Sequence, residues 1–228
     1  VRNVDKTLMK SLFGQVSVTQ GALVRTNYLD RVQDFHGASE MERSFGARIG
    51  KLSDAFTALS SSPDNALYLS QTVQAAEMLA KSFNDYTTMI TDLRVQAERE
   101  ISSYASEVNI QLEKIAALNI QISNMTASGQ SSADLEDQRD TALRNVSQYI
   151  QVSTYTDQNN VLVVSTKQGQ LLADTKAQKL VFNAAANLGP TSYYPNGGLG
   201  GLYINSTGGI EIAQGAVGGA IGALFDLR

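Results

Sequence analysis

The most constraining feature of this sequence is the run from Asp64 to Ser128, 65 residues without a glycine or a proline. Glycine and proline are the residues that most often interrupt a helix, and apolar residues recur along this run at helical spacings of three and four. At ~1.5 Å per residue, one unbroken helix over the run would be on the order of 95 Å long. Ordinary globular helices have about 11–12 residues. The run therefore predicts a long helix of the kind found in coiled coils, elongated bundles and fibre subunits.

Two apolar periods follow each other along this run. The first repeats every seven residues, the spacing of left-handed supercoils, at Leu69, Ala76, Phe83 and Ile90. The second has an eleven-residue period, which favours a straight or slightly right-handed path, at Leu93, Ala97, Ile101, Tyr104, Val108, Leu112 and Ile115. A narrow apolar stripe needs a cover, so we expect two preceding helices and a further C-terminal helix to lie along it. A solvated coiled-coil dimer is the alternative interpretation.

Two helices are predicted ahead of the long one. The first carries apolar residues four apart at Val4, Leu8, Leu12 and Val16, could be interrupted at Gly14 or Gly21, and ends before Gly37. The second carries apolar residues at helical gaps, at Met41, Phe45, Ile49, Leu52, Phe56 and Leu59. After it, we expect Ser62 to cap the long helix, with Pro63 in the first turn and Asp64 near the positive helix end.

The periodicity changes from helical to alternating near Ile150. A short helix is predicted from Ala133 to about Gln148, and a helix starts again at Val217. Between them, alternation and turn residues predict strands at 150–156, 161–165, 171–172, 179–183, 202–205 and 210–213. We therefore predict a helical rod domain, 1–149, rejoined by 216–228, and a β-rich domain, 150–215. The predicted fold class is α+β, an elongated antiparallel helical bundle with a very long central helix plus a small β-rich domain.

Composition narrows the classes of function. The net charge is −4 and the basic residues are dispersed, which argues against binding to a nucleic-acid backbone. No window approaches 18 consecutive apolar residues, so no membrane span is expected. The chain has no cysteine, which excludes disulfides and thiolate metal sites. Because Val1 is not an initiator methionine and the chain stops inside a predicted helix, we expect an internal fragment that lacks both termini.

No catalytic, cofactor or metal site is predicted. His36 is the single histidine and is expected to be an exposed or capping residue beside Gly37. The glycines of 215–222 have neither the order and acidic partner of a dinucleotide loop nor the Lys-Ser/Thr of a P-loop. Close packing of a helix through small residues explains them better.

The carboxylates nearest to each other lie around one arginine in the short helix. Asp137 and Asp140 flank Arg139 within a helical turn, which favours a structural network over a metal or acid–base site. We expect Arg139 to bond Asp137, Asp140 or a carbonyl of the long helix. The residues of this structural motif are Leu135, Asp137, Gln138, Arg139 and Asp140.

Several segments, in order along nearly the whole chain, resemble the flagellar hook-associated protein 1 family, the first hook–filament junction protein. They are 56–63, 75–84, 115–122, 134–140 and 218–228. Taken together, with the D-x-x-D-Q-R-D block of 134–140, these segments are specific for the family. Glu136 departs from it, because the family usually has an apolar residue at that position.

The resemblance implies a structural protein of the secreted, extracellular bacterial flagellum, with no enzymatic activity and no cofactor. It implies export in an unfolded state through the type III channel, a helical domain facing the axis and a β-domain facing outward. The implied partners are like subunits in a ring, the hook protein, a second junction protein of the hook-associated protein 3 family and an export chaperone, with no nucleic acid and no membrane span.

An alternative of another class is a ligand-binding helical/β ectodomain of a sensor or adhesin. Such a protein would need membrane-spanning segments outside this chain. An enzyme ranks third, and a deep polar pocket with converging titratable groups would be the observation in its favour.

Overall fold

The computed structural model describes residues 6–37 and 44–228. These residues divide into two compact units. The first unit holds the described residues up to Thr26 together with Arg94–Arg228, and the second holds the described residues of Asn27–Leu93. Two long helices contribute residues to both units. The division into domains that was predicted from sequence periodicity stays a prediction.

Helix α1 (Lys6–His36) runs without a break, so neither of its glycines interrupts it. A Cβ atom at Gly21 would lie 3.0 Å from the carbonyl oxygen of Gly219, so this glycine permits a close backbone approach. The helix ends where predicted, because Gly37 has φ 68° and its N–H donates to the carbonyl of Gln33 over 3.1 Å.

The four-residue apolar spacing that predicts α1 does not mark its buried face. Leu8 and Leu12 are exposed, whereas Phe13, Ser17 and Tyr28 are buried. Ser17 is small enough to let the helix approach its neighbours closely on that face. The spacing therefore predicted the helix correctly but did not predict which face of the helix is buried. The predicted Val4 lies outside the described residues.

In the second unit, helix α2 (Phe45–Ser61) is capped by the hydroxyl of Ser44, which accepts the N–H of Ala47 at 3.2 Å. The predicted Met41 lies outside the described residues. His36 is exposed as predicted, and its ring packs against the rings of Tyr86 and Phe45 at centroid distances of 4.8 and 5.5 Å.

The cap of the long helix is Asn65, and the prediction of Ser62 was wrong. The side-chain oxygen of Asn65 accepts the N–H of Leu67 at 2.9 Å, whereas Ser62 closes α2 by donating its N–H to Leu59. The N–H of Asn65 then donates to the carbonyl of Ser62 at 3.1 Å. Proline favours the second position of such a turn, so Ser62-Pro63-Asp64-Asn65 forms a turn before the helix begins.

Helix α3 (Ala66–Ala127) is a single helix of 62 residues, which confirms the central prediction from the sequence. Its two apolar periods differ in burial. Most residues of the eleven-residue period are buried, as at Ile101 and Leu112, each 0% exposed, whereas Tyr104 is half-buried. Residues of the seven-residue period are more exposed, since Leu69 and Phe83 are 54 and 52% exposed and Ile90 is half-buried. In the second unit α2 lies against α3, since Thr72 donates its hydroxyl to the carbonyl of Ala55.

After Gly129, helix α4 (Ala133–Tyr149) forms as predicted and leads into two antiparallel sheets. The first sheet has the order β1 (Val152–Thr156), β2 (Leu162–Thr166), β3 (Leu171–Ala173). The second has the order β4 (Leu180–Val181), β5 (Leu202–Ile204), β6 (Ile210–Ile212). Each predicted strand is present, and β1, β4, β5 and β6 are shorter than predicted.

Two short helices, α5 (Gln214–Val217) and α6 (Gly219–Leu227), end the chain. Gly218 and Gly219 have φ values of 61° and 60°, and a Cβ at Gly219 would lie 2.5 Å from the carbonyl oxygen of Tyr149. The prediction that these glycines serve close packing is therefore confirmed at both positions. The core of the first unit joins α3 and α4 to both sheets and α6, and its most buried apolar residues include Ile115, Ile122, Leu143, Leu172, Leu202, Ile212, Ile221 and Leu224.

Candidate functional site

Four polar side chains of α3 bond the segments that follow it in the chain, and we call them the polar seam. They are Arg94, Glu98, Asn109 and Asn119, all in the first unit. Glu98 and Asn119 are 0% exposed. A buried polar group is stable only when it is hydrogen-bonded, so the partners of each residue identify what the seam holds in place.

Asn119 joins α3 to the first sheet and to α4. Its Nδ2 donates to the carbonyls of Leu162 at 2.8 Å and Asp174 at 2.7 Å. Its Oδ1 accepts the N–H of Leu162 and the Nη1 of Arg139, each at 2.9 Å. An amide side chain has two donor hydrogens and two acceptor lone pairs. All four are used, so Asn119 fixes two elements against α3 at once.

Arg139 is the buried centre of the motif that the sequence singled out. It is 4% exposed, and its Nη1 donates both to Asn119 and to the carbonyl of Asn160 at 2.7 Å, in the turn between β1 and β2. The oxygen of α3 that it contacts belongs to the side chain of Asn119. The expected bond from Arg139 to Asp137 or Asp140 stays a prediction. Glu136 supports the same turn, since its Oε1 accepts the Nδ2 of Asn160 and the hydroxyl of Ser132, each at 2.8 Å.

The other residues of the predicted motif lie around this centre. Leu135 and Asp140 are half-buried, and Asp137 and Gln138 are exposed. Glu136, the residue that departs from the resembled family, is thus explained by its two hydrogen bonds. The predicted motif as a functional unit stays a proposal.

Asn109 closes the edge of the second sheet. Its Nδ2 donates to the carbonyl of Leu180 at 2.8 Å, and its Oδ1 accepts the N–H of the same residue at 2.7 Å. The amide therefore pairs with β4 as a neighbouring strand would. An unpaired strand edge invites association with other chains, and this side chain satisfies the edge at Leu180.

Glu98 and Arg228 form a fully buried ion pair. Arg228 Nη1 donates to Glu98 Oε1 at 2.5 Å, with the two side chains 1% and 0% exposed. Glu98 Oε2 also accepts the N–H of Ala185 at 2.7 Å, and Arg228 Nη2 donates to the carbonyl of Gly200 at 2.7 Å. Removing one partner of such a pair typically costs about 3–5 kcal/mol, because the other charge is left buried. The pair ties the end of α6 and the loop 183–201 to α3.

Arginines and aromatic rings fix the same loop. Arg228 lies 4.4 Å from the centroid of the Phe225 ring and 5.5 Å from that of Phe182, distances at which a cation is attracted to the ring face. Arg94 donates to the carbonyls of Gly189 and Ser192. The long loop before β5 is therefore held by two cations.

Tyr194 in this loop donates its hydroxyl to the carboxylate of Glu211. That hydrogen bond, with burial as the second cause, raises the pKa of Tyr194 from 10.0 to about 12. A Cβ atom at Gly201 would collide with the Glu211 side chain, so the small residue leaves room for this contact. Burial is also the main cause that raises the pKa of both Tyr104 and Tyr149, whose rings pack at 4.9 Å.

The buried Glu98, Arg139 and Arg228 are engaged with other side chains and with backbone groups, which is the arrangement of a structural network. A cavity of about 460 Å³ lies between α1, α4 and the β1–β2 hairpin, with Lys10, Glu136 and Arg139 in its walls. In the described ranges 6–37 and 44–228, no group of three His, Asp or Glu side chains is placed to hold a metal ion. None of the described helices has both the length and the apolarity to cross a membrane.

Sequence reasoning found Arg139 but missed the polar seam. Glu98 stands next to Arg99 and Glu100, and a polar residue in such surroundings is easily dismissed as solvent-exposed. Glu98 lies three residues before Ile101, and Asn109 lies three residues before Leu112. Because residues three apart are neighbours on one helix face, this spacing from the apolar stripe was the available signal.

Comparisons with known proteins agree with this architecture. A family model described as the helical domain of the flagellar hook-associated protein FlgK matches residues 29–228. Among solved structures, the flagellar hook junction protein FlgK from Burkholderia pseudomallei matches with a TM-score of 0.73 and 18% sequence identity, over 94% of this chain and 39% of that chain. At that identity the likeness shows the fold alone, and the chain spans less than half the length of the matched structure. A search of curated proteins found no match.

The α+β fold class predicted from the sequence agrees with the fold of the solved FlgK structure. A long helix, 66–127, combined with small antiparallel sheets is the α+β architecture expected from the sequence. The matched family is one of structural components of the flagellum.

Proposed function

We propose that this chain, which belongs to the family of the flagellar hook-associated protein FlgK, forms part of the junction between the flagellar hook and the filament. The observation that carries the proposal is the family match over residues 29–228. The bonding pattern of the first unit supports a mechanical role, because its buried polar groups hold elements together.

The polar seam is suited to carrying load. Its members run from Arg94 to Asn119, so the contacts are spread over ~37 Å of helix at about 1.5 Å per residue. A force on the β-sheets would then be shared by several hydrogen-bonded sites, and no single hinge would carry it. In this proposal α3 is the mechanical element and the sheets are attached to it side-on.

The partners follow from the same proposal. Like subunits form a ring, with the hook protein on one side and a second junction protein of the hook-associated protein 3 family on the other. The protein reaches its extracellular position by type III export with the help of an export chaperone, and the β-rich domain faces outward. The complete lack of cysteine in these 228 residues is compatible with a chain that is threaded unfolded and assembled outside the cell.

A clean deletion of the gene tests the proposal. Hooks should form normally, filaments should not attach, and flagellin should be released into the medium. A plasmid copy of the full-length gene should restore attachment, whereas an empty plasmid should not. Normal filaments and swimming in the deletion strain, with no second copy of the gene, would contradict the junction role.

A further inference from the structure

In the part of the chain that the structure describes, three of the four edge strands of the two sheets are closed by other groups of the same chain. Asn109 bonds the edge of β4. Gln170 donates its Nε2 to the carbonyl of Glu211 in β6 at 3.1 Å. At the edge of β3, the N–H of Gln178 donates to the carbonyl of Leu172 at 2.7 Å. Because an open strand edge invites pairing with other chains, natural sheets commonly cover their edges.

The fourth edge, the outer side of β1, is open. Where β1 ends, the N–H of Asp157 donates to the carbonyl of Val161 at 3.0 Å, so the backbone of Asp157 faces the returning strand β2. The backbone groups of an antiparallel strand face its two sides alternately. Those of Tyr155 therefore face β2, and those of Thr154 and Thr156 face outward. Nothing within residues 6–37 and 44–228 bonds these outward N–H and carbonyl groups.

This open edge borders the cavity of about 460 Å³ between α1, α4 and the β1–β2 hairpin. Thr154 and Thr156 line the cavity and are half-buried, and the buried apolar side chains of Phe13 and Leu143 lie in its other walls. The five residues of β1 offer an edge ~17 Å long, at about 3.4 Å per residue. A strand edge beside apolar side chains is the form of site to which an extended peptide adds as a further strand.

The chain that leads into α1 begins at the wall of this cavity. Thr7, Met9 and Lys10, in the first turns of α1, line it together with the edge of β1. A segment tethered next to its site is present at an effective concentration of roughly millimolar, which favours it over a separate molecule. The other three edges are also closed from within the chain. Both observations favour a segment of the same chain as the occupant.

We propose that the residues that precede α1 in the full-length protein, which we call the entering segment, add to β1 as a fourth strand of the first sheet. The backbone of the entering segment bonds the outward groups of Thr154 and Thr156, and its apolar side chains pack on Phe13 and Leu143. All four edges are then closed within one molecule. The inference goes beyond the proposed function, because it concerns a contact inside one copy of the protein.

Amide hydrogen exchange of the full-length protein, followed by NMR, tests the added strand. We expect the N–H groups of Thr154 and Thr156 to exchange slowly. Ser153 and Tyr155 are the reference, because their N–H groups already face β2. In a variant that lacks the residues ahead of Lys6, the two threonine amides should exchange on the order of 100-fold faster, since a solvated edge has little protection. The two reference amides should stay slow, which shows that the sheet is still folded.

The matched control removes the chain on the other side of these residues. A variant of the full-length protein that ends at Arg228 keeps the entering segment, so Thr154 and Thr156 should stay protected. Amide-to-amide NOEs in the intact protein identify the occupant without any truncation, because neighbouring strands lie about 4.8 Å apart. We expect such NOEs from Thr154 or Thr156 to residues ahead of Lys6.

Fast exchange of the two threonine amides in the intact protein would overturn the inference. So would protection that survives removal of the entering segment, that is lost in the variant ending at Arg228, or that appears only as the protein concentration rises, because another segment or a second copy would then supply the strand. If the shortened protein also loses protection at the reference amides, the NOEs decide, and their absence contradicts the added strand. None of these outcomes affects the junction role, which the gene deletion tests separately.

Discussion

Asn119 and Glu98 are fully buried polar residues among the apolar side chains of α3, and each binds several partners. Asn119 uses its complete hydrogen-bonding capacity on the β1–β2 turn region, on Asp174 and on Arg139. A buried polar group that loses its hydrogen-bond partner destabilises the folded state by the full desolvation penalty of that group. At the scale of single residues, the seam therefore specifies where the sheets attach to the helix more strictly than apolar packing could.

Replacing Asn119 by alanine should lower the free energy of unfolding by about 3 kcal/mol. The substitution leaves the buried N–H and carbonyl of Leu162 and the guanidinium of Arg139 without one partner each, and ~1–3 kcal/mol is typical for a buried unsatisfied group. Urea unfolding followed by circular dichroism measures the change. Asn124→Ala, at an exposed position of the same helix, is the control and should stay within ~0.5 kcal/mol of the parent. Equal urea midpoints for Asn119→Ala and Asn124→Ala would contradict the stabilising role of Asn119 in the polar seam.

Tyr194 should make stability depend on pH in the alkaline range. The hydrogen bond to Glu211 raises the pKa of Tyr194 from 10.0 to about 12 in the folded state. Between these pH values the unfolded chain loses the tyrosine proton while the folded chain keeps it, so the unfolded state binds fewer protons and stability falls as pH rises. The contribution is complete below pH 10 and disappears as the pH rises through 12.

Two measurements check the behaviour of Tyr194. Absorbance of the tyrosinate at 295 nm should show a titration step at about pH 12, and Tyr194→Phe should remove this step. In urea unfolding, the stability lost in Tyr194→Phe should be greatest below pH 10 and should shrink above it. A stability difference that stays constant up to pH 12 would speak against the hydrogen bond.

At the scale of elements, the sequence predicted the helices and strands well where the signal is local. The Gly- and Pro-free run produced one helix, and the change to alternation near Ile150 produced the strands. The start of α3 was predicted too early, at Ser62, because Ser62-Pro63-Asp64-Asn65 is compatible with either a helix cap or a turn. In the structure these four residues form a turn. Only the observed bonds of Ser62 and Asn65 separate these possibilities.

Which face of a helix packs was harder to predict than the helix itself. In α1, a small buried Ser17 and a close approach at Gly21 define the packed side, and neither stands out in an apolar pattern. In α3, the seven-residue stripe at Leu69 and Phe83 predicts a helical partner but does not say which chain provides it. The polar seam depends on contacts between residues far apart in sequence, such as Asn109 with Leu180, which local spacing does not contain.

The substitution Gly219→Ala tests the close contact between the start of α6 and the end of α4 at Tyr149. The new Cβ would lie 2.5 Å from the carbonyl oxygen of Tyr149, and φ 60° is unfavourable for alanine. Strain of this kind and overpacking each cost about 1–3 kcal/mol, so the urea midpoint should fall clearly. Gly215→Ala is the matched control, because a Cβ there meets nothing within 4 Å. A Gly219→Ala protein as stable as the Gly215→Ala protein would exclude the tight contact.

At the scale of the whole molecule, membership of the FlgK family rests on the family model that matches residues 29–228, and the likeness to a solved structure supports the α+β fold. The structure adds what the family match does not contain, namely which side chains attach the sheets to α3 and which helix faces remain exposed. The sensor or adhesin alternative gains no support from either comparison.

Localisation on the flagellum tests the junction role most directly. The full-length protein, tagged with an epitope in the exposed turn 128–131 and shown to restore swimming in the deletion strain, is labelled with gold-conjugated antibody on isolated flagella. Electron microscopy should place the gold in a narrow band where the hook meets the filament, and an untagged strain should show none. Gold distributed along the filament, or confined to the cell surface away from the hook, would contradict the account.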